Sequence, residues 1–174
     1  MKKGISNTLA ASDHPALDDV RQIVGGFDAG GRSFGIVVSR FNPELTDALL
    51  VATVTCLKEH GAAPDQITVV RVPGAFELPT VLERMAAEKK YDALIALGAV
   101  IQGETPHAGH INAEVNRALC EMARQYSVPV IDGVVMTHTL EQAEARCTTG
   151  EKSRGWYAAR AAIEMAHVMT QLKA

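Results

Sequence analysis

The residues most able to do chemistry lie in one short stretch, GAVIQGETPHAGH at positions 98–110. A strand-like apolar run ends there and a helical pattern begins. Thr105 is the predicted N-cap and Pro106 the first helical residue, where a missing N–H costs nothing, so His107 falls in the first turn. Unpaired N–H groups and the positive end of the helix dipole favour a phosphate at such a junction. The stretch indicates an enzyme that acts on a phosphorylated small molecule.

His107 is the candidate for proton transfer, because imidazole gains and loses a proton near neutral pH. His110, three residues further along the same helix face, and His138 are rivals for this role, and an ordinary surface histidine is the simplest alternative. Three histidines near one rim also raise the question of a metal. Neither HExxH nor a carboxylate triad accompanies them, so no metal site is expected.

Two further loops carry residues suited to binding a polar ring. Phe41, in the segment SRFNPE, offers a flat apolar face for stacking. In VPGAFELP at 72–79, two prolines stiffen the chain around Phe76 and Glu77. Backbone groups of this loop and the Glu77 carboxylate can hydrogen-bond a heterocycle or a sugar-like chain. The structural alternative is that Glu77 complements a helix dipole and that Phe76 seals the core.

A cationic cluster precedes the last helical segment and consists of Arg146, Lys152 and Arg154. A guanidinium clamps a phosphate with two donors, which makes Arg146 the best anion ligand of the three, while the other two add positive field. The alternative is a solvated charged face, because most runs of charge are of that kind.

The elements that position these residues follow a repeating order. From Phe34 onward, short apolar runs alternate with longer segments of helical period, which is typical of a parallel sheet built from βαβ units. Strands are predicted at 34–39, 67–72, 92–101 and 129–136. Helices are predicted at about 76–89 and 140–147. Three more are indicated by apolar faces at 45–56, before the stop at His60-Gly61, at 111–122 and at 156–166.

Ligands of open parallel sheets bind beyond the carboxyl ends of the strands, near the point where the strand order reverses. That rule selects the four loops that contain SRFNPE, PGAFE, QGETPH and MTHT. The unusual local sequences of the chain all lie in these loops. The sequence therefore predicts one ligand site at this end of the sheet.

Composition limits the class of protein. The 174 residues, 47% of them hydrophobic, suffice for one domain, predicted at 32–174 after a partly flexible N-terminal arm at 1–31. A net charge of −3 argues against nucleic-acid binding. Three scattered cysteines without a CxxC pair favour a reducing cytoplasm. Because an apolar leader and an uncharged apolar run of about 18 residues are both missing, neither export nor membrane insertion is expected.

Five blocks of the sequence resemble the lumazine synthase family in order and spacing: SRFN at 39–42, VPGAFELP at 72–79, GAVIQGETPH at 98–107, VPVIDGVV at 128–135 and AAIEMA at 161–166. The resemblance runs from about Phe34 to Leu172 without a detectable insertion. Agreement of several separate motifs is far more specific than one short motif. It implies an α/β fold, a three-layer sandwich in which helices flank a four-stranded parallel sheet of flavodoxin-like order.

The resemblance also implies an activity. The family condenses 5-amino-6-(D-ribitylamino)uracil with 3,4-dihydroxy-2-butanone 4-phosphate and releases 6,7-dimethyl-8-ribityllumazine, phosphate and water. This is the penultimate step of riboflavin biosynthesis, and it needs neither a metal nor a redox cofactor. By resemblance, the chain is a cytoplasmic transferase without cofactors.

Residue roles are implied in the same way. His107 is the implied proton-transfer residue, and Phe41 stacks on the pyrimidine. The implied substrate-binding residues are Phe41, Ala75, Phe76, Glu77, Ala99, Val100, Ile101 and Asp132. The implied phosphate ligands are Glu104 and Thr105, through their backbone N–H groups, and Arg146 and Arg154.

Family members place their sites between neighbouring subunits of a homopentamer. Asp132, Arg146 and Arg154 are therefore expected to come from the adjacent chain. Pentamers, decamers and larger capsids all stay open as the final assembly, and riboflavin synthase is a candidate partner.

The sequence departs from the family pattern at a few site positions. Ala108 and Gly109 stand where the family has an aromatic and an acidic residue, and Asp132 replaces an aromatic residue. Two functions therefore stay open. The first is an active lumazine synthase, and the second is a weakly or non-catalytic paralogue that binds flavin or lumazine or serves as an assembly scaffold. Without the resemblance, the alternative is another phosphosugar-binding enzyme of similar fold.

Overall fold

A four-stranded parallel sheet forms the centre of the computed structural model, which describes residues 14–173, so the first 13 residues of the predicted arm lie outside it. The strands are β1 (Phe34–Ser39), β2 (Ile67–Val72), β3 (Ala93–Ile101) and β4 (Val130–Thr137). Their spatial order is β2-β1-β3-β4, and all neighbouring pairs are parallel. The order reverses at β1, which confirms the predicted flavodoxin-like sheet.

Helices cover both faces of the sheet. They are α1 (Pro43–Glu59), α2 (Leu78–Ala87), α3 (His107–Tyr126), α4 (Leu140–Glu144) and α5 (Arg154–Lys173). One core cluster joins the sheet to α1, α4 and α5, and the other joins it to α2 and α3. In β1, Ile36 and Val38 belong to the first cluster and Val37 to the second, because successive strand residues point to opposite faces. The predicted three-layer sandwich is confirmed.

Most predicted boundaries hold within one or two residues, and two helices are shorter than expected. The helix predicted at 76–89 begins as a 3-10 turn at Ala75–Glu77, and α2 ends before Lys89, whose φ is 54°. The helix predicted at 140–147 ends at Glu144. The chain turns there, and the Arg146 main-chain oxygen accepts the N–H of Arg154 at 2.8 Å. That bond brings the start of α5 against the end of α4.

Helices α1 and α5 approach each other closely at Gly155. A Cβ atom at this position would overlap with the main-chain oxygen of Leu49 and lie 2.8 Å from Thr53 Oγ1. The buried Thr53 hydroxyl is a donor at this contact, 2.8 Å from the Leu49 oxygen and 3.0 Å from the Gly155 oxygen. The close approach therefore requires glycine at this position of α5.

Residues 24–30 lie against α5 without forming a helix or strand. Gln171 Nε2 donates to the main-chain oxygen of Val24 at 2.9 Å, and His167 Nε2 donates to that of Asp28 at 2.6 Å. Ala29, in the same segment, is fully buried in the core cluster of α1 and α5. This part of the predicted arm is tied to the domain.

Candidate active site

A cavity of about 760 Å³ lies beyond the carboxyl ends of β1, β2 and β3. Its walls come from three of the four predicted loops, and the loop after β4 contributes none of them. The lining residues are Phe41, Asn42, Gly74, Ala75, Phe76, Glu77, Ala99, Val100, Ile101, Gly103, Thr105, His107, Ala108, His110, Ile111 and Glu114. Nine residues of this wall (Phe41, Ala75, Phe76, Glu77, Ala99, Val100, Ile101, Thr105 and His107) are among the predicted site residues.

One wall of the cavity is the open edge of β3. The pairing of β3 with β1 ends at Leu97, whereas β3 continues to Ile101 while still paired with β4. The main-chain groups on the β1 side of residues 99–101 therefore face the cavity instead of another strand. The Ala99 oxygen accepts the Asn42 side-chain amide, and the other main-chain groups of this edge suit the polar edge of a heterocycle.

The loop after β1 presents Phe41 to the cavity with 69% of its surface exposed. The next residue, Asn42, has a φ of 57° in the left-handed region, and its side-chain amide donates to the Ala99 oxygen at 3.0 Å. Asparagine tolerates this conformation better than most residues, and Pro43 then begins α1. Sequence reasoning missed Asn42, although an asparagine between a strand and a helix-starting proline is a usable signal.

The loop after β2 forms the 3-10 turn Ala75–Glu77. The Glu77 carboxylate accepts the main-chain N–H of Gly74 at 2.9 Å, so it fixes the turn as well as lining the cavity. Phe76 is 61% exposed. The structural alternative, in which Phe76 seals the core, is therefore wrong. Phe41 and Phe76 both present apolar surface to the same cavity.

The junction between β3 and α3 differs from the prediction by one residue. The helix begins at His107 with Pro106 as its N-cap residue, and no side chain caps it. The predicted N-cap role of Thr105 is wrong, because its main-chain oxygen accepts the side-chain amide of Gln102 and the chain stays non-helical for one residue more. His107 nevertheless lies in the first turn, as predicted. The exposed loop at 103–105 is left with its N–H groups next to the cavity.

Two of the three candidate histidines share the cavity wall. His107 and His110 line it one turn apart on α3, while His138 lies outside it. Glu114 lies one turn beyond His110, and Arg117 binds its carboxylate at 2.8 Å and 3.0 Å. The pair of imidazoles is thus the part of the α3 wall that is best suited to moving a proton.

Four predicted site residues are not among the lining residues of this cavity: Glu104, Asp132, Arg146 and Arg154. Asp132 Oδ1 accepts the N–H of Val134 at 2.9 Å, and Arg154 Nη2 donates to the Asp132 main-chain oxygen at 2.8 Å. Arg146 Nη1 donates to the Gln142 oxygen at 2.8 Å, and both arginines are exposed. Glu104 is also exposed, next to two lining residues. Within one chain, the cations and the phosphate loop do not meet.

Residues 14–173 contain neither a cluster of potential metal ligands nor a helix able to cross a membrane. No group of three histidine, cysteine, aspartate or glutamate side chains comes together there in a way that could hold a metal ion. None of the helices in that range combines the length and apolarity needed to cross a bilayer.

Comparison with known proteins agrees with this geometry. The family model of 6,7-dimethyl-8-ribityllumazine synthase matches residues 31–170. A 6,7-dimethyl-8-ribityllumazine synthase from Desulfosudis oleivorans is 45% identical over 144 residues, which cover 83% of this chain and 92% of that protein. One from Clostridium kluyveri is 44% identical over 149 residues, covering 86% and 97%. The resemblance seen in the sequence is thus confirmed, and the chain belongs to the 6,7-dimethyl-8-ribityllumazine synthase family.

Proposed function

We propose that the chain condenses 5-amino-6-(D-ribitylamino)uracil with 3,4-dihydroxy-2-butanone 4-phosphate to give 6,7-dimethyl-8-ribityllumazine, phosphate and water. As a member of its family, the chain is a transferase of riboflavin biosynthesis. The observation that carries the proposal is one cavity that brings together an exposed phenylalanine, an open strand edge and a histidine at a helix start. No cofactor is part of this chemistry.

The cavity offers separate surfaces for the parts of the first substrate. Phe41 stacks on the pyrimidine ring, because an exposed aromatic face gains from a flat π-system. Main-chain groups at 99–101 and 75–77 hydrogen-bond the uracil edge and the ribityl hydroxyls. Phe76 adds apolar surface beside them.

The phosphate of the second substrate binds at the loop before α3. Main-chain N–H groups of Glu104 and Thr105 are its donors, and the positive end of the α3 dipole adds to them. His107, in the first turn, is then beside the phosphate and the ketone.

The steps follow from these positions. The 5-amino nitrogen attacks the ketone and forms an imine with loss of water, and phosphate then leaves. The ribitylamino nitrogen closes the second ring with loss of a further water. Each step moves a proton, which His107 relays, and much of the acceleration comes from holding two polar substrates in register.

The direct experiment mixes the purified protein with both substrates and follows lumazine absorbance. Turnover well above the spontaneous rate is expected. Turnover no faster than the spontaneous reaction would reject the enzyme. Lumazine or flavin binding without turnover would instead support the non-catalytic binder or scaffold, a function that Ala108 and Gly109 favour because neither supplies a carboxylate beside His107.

The site is completed by a second copy of the chain in a homopentamer, in this proposal. Asp132, Arg146 and Arg154 lie outside the cavity of their own chain, so they are free to face the cavity of a neighbour. Arg146 then binds the phosphate with its guanidinium. Riboflavin synthase is the proposed further partner. Three free cysteines fit the proposed cytoplasmic location.

Subunit mixing tests the shared site. His107→Ala and Arg146→Ala chains are each expected to be inactive. Mixed oligomers of the two should recover activity, because about one site in four then combines both native residues. No recovery, together with proof of subunit exchange, contradicts a site between chains. A monomer by light scattering contradicts it as well.

A further inference from the structure

The Gln102 side chain folds back onto the loop that follows β3. Its Nε2 donates to the main-chain oxygen of Gly103 at 2.9 Å and also to that of Thr105. Its main-chain N–H donates to the Thr137 oxygen of β4 at 2.8 Å. The residue is half-buried, while 103–105 are exposed. One side chain at the rigid end of the sheet thus holds two carbonyls of an exposed loop.

These two bonds set the direction in which the loop presents its donors. The Gly103 carbonyl and the Glu104 N–H belong to one planar trans peptide, so they point in opposite directions. With the carbonyl held toward Gln102, the Glu104 N–H points away from it. The Thr105 carbonyl belongs to the peptide bond with Pro106. Because proline has no N–H, the bond from Gln102 to this carbonyl does not change the direction of any donor in the loop.

The donors that remain are free to bind an anion. Across residues 14–173, no acceptor is found for the main-chain N–H of Gly103, Glu104 or Thr105. Gly103 and Thr105 line the cavity, and nothing lies within 4 Å of a Cβ built on Gly103. Because the loop is loosely packed, few contacts besides the bonds from Gln102 fix the direction of its carbonyls.

An amide NH2 group matches this task because it carries two donors and no charge. If it is removed, the two carbonyls are free to turn toward the cavity, where their oxygens repel a phosphate. Ordering the loop then also costs conformational entropy at the moment of binding.

We propose that Gln102 is a positioning residue for the phosphate loop and thereby sets the affinity of the site for the phosphate group of the second substrate. The inference rests on the proposed function, in which this loop receives the phosphate. Gln102 touches no substrate and acts through the main chain of 103–105.

Gln102→Met tests the role, because it keeps the side-chain length and removes both donors. The inhibition constant of inorganic phosphate and the KM of the ketose phosphate should each rise about tenfold, equivalent to ~1.4 kcal/mol. The Kd of 6,7-dimethyl-8-ribityllumazine, which has no phosphate, should change less than about twofold. Gln66→Met is the matched control, since its side chain also binds main chain, accepting the Ala63 N–H at 2.8 Å, but before β2 at the other end of the sheet.

The outcomes separate the two proposals. Wild-type turnover with unchanged phosphate constants in Gln102→Met overturns the positioning role and leaves the function intact. An equal loss of phosphate and lumazine affinity also overturns it, because the effect is then on the whole site. If Gln102→Met does not fold, the same constants are measured for Gln102→Leu. Absence of wild-type turnover is a failure of the proposed function, while phosphate binding measured by calorimetry still tests Gln102.

Discussion

The side-chain amide of Asn42 donates a hydrogen bond of 3.0 Å to the main-chain oxygen of Ala99 and so joins the two strand ends that border the cavity. The backbone of Asn42 has a second role, because its φ of 57° lets the chain turn from β1 into α1. Two separate properties of Asn42, its side-chain amide and its left-handed backbone, therefore hold Phe41, the proposed stacking residue, next to the end of β3.

The two properties of Asn42 can be separated by substitution. Asn42→Gly removes the hydrogen bond but keeps a residue that adopts the left-handed region freely, and it should lower the free energy of unfolding by ~1 kcal/mol. Asn42→Ala removes the same bond and leaves a residue that tolerates this region less well than asparagine, so it should lower the free energy of unfolding by ~2 kcal/mol. Urea denaturation measures both. An alanine variant as stable as the glycine variant would show that backbone strain plays no part.

Replacement of His107 should reduce chemistry more than binding. His107→Gln is expected to lower kcat about 100-fold, the lower range for a lost general acid or base, with a small change in lumazine affinity. His110→Gln is the comparison on the same cavity wall, and His14→Gln, at the exposed turn Pro15–Leu17, is the control. If His110→Gln causes the larger loss of kcat, the proton-transfer role belongs to His110.

Phe41 should contribute to binding without stabilising the fold. Because it is 69% exposed, Phe41→Ala should leave the melting temperature unchanged. Loss of a stacking platform should raise the KM of the ribitylaminouracil about tenfold or more, as for stacked bases. Phe41→Tyr keeps the aromatic face and should stay near wild type. A KM unaffected by the alanine substitution would place the pyrimidine elsewhere.

The contact of α1 with α5 predicts a strong effect of one methyl group. Gly155→Ala should destabilise the protein by ~2–3 kcal/mol, because the new Cβ overlaps with the Leu49 carbonyl and forces the helices apart. Gly150→Ala is the matched control, since nothing lies within 4 Å of its Cβ, and it should change stability by less than ~0.5 kcal/mol. Thermal unfolding measures both, and equal melting temperatures would contradict the close approach.

Cysteine reactivity should follow burial. Burial raises the pKa of the Cys56 thiol from 9.0 to about 12 and that of Cys147 to about 11, whereas Cys120 is exposed. A thiol reagent at pH 8 should therefore modify Cys120 alone in the native protein and none in Cys120→Ser. Rapid native labelling of Cys56 would show that α1 opens readily.

The same thiols predict how stability depends on pH. Their folded pKa values lie above the unfolded value, so the folded state keeps protons that the unfolded state loses. Below pH 9.0 this contribution to stability is fully present, and it is lost as the pH rises toward about 12. Cys56→Ala should flatten the decline of the urea midpoint above pH 9.0.

The sequence predicted the strands well because each is a short apolar run between polar turns. FGIVVS and ITVVRV have the predicted bounds of β1 and β2. Helix ends were predicted less well. The helix expected at 140–147 loses its last turn to a tertiary contact, the bond from the Arg154 N–H to the Arg146 oxygen, which no local pattern encodes.

Within the candidate site, residue types pointed to three loops that line the cavity and to one, after β4, that does not, and they did not reveal the bonds between the loops. Phe41, Glu77 and His107 stand out by type and position, and all three line the cavity. The links from Asn42 to Ala99 and from Gln102 to its own loop depend on how the loops fold back, so pattern reasoning could not find them.

The attachment of residues 24–30 to α5 has a consequence for the order in which the chain acquires its structure. The partners of Val24 and Asp28 are Gln171 and His167, which a ribosome adds more than a hundred residues later. Residues 24–30 therefore leave the ribosome early and cannot bind α5 until that helix has been synthesised. The segment can take its final position only when the domain is complete. In a ribosome-stalled chain that lacks α5, residues 24–30 should therefore be cleaved readily by proteases.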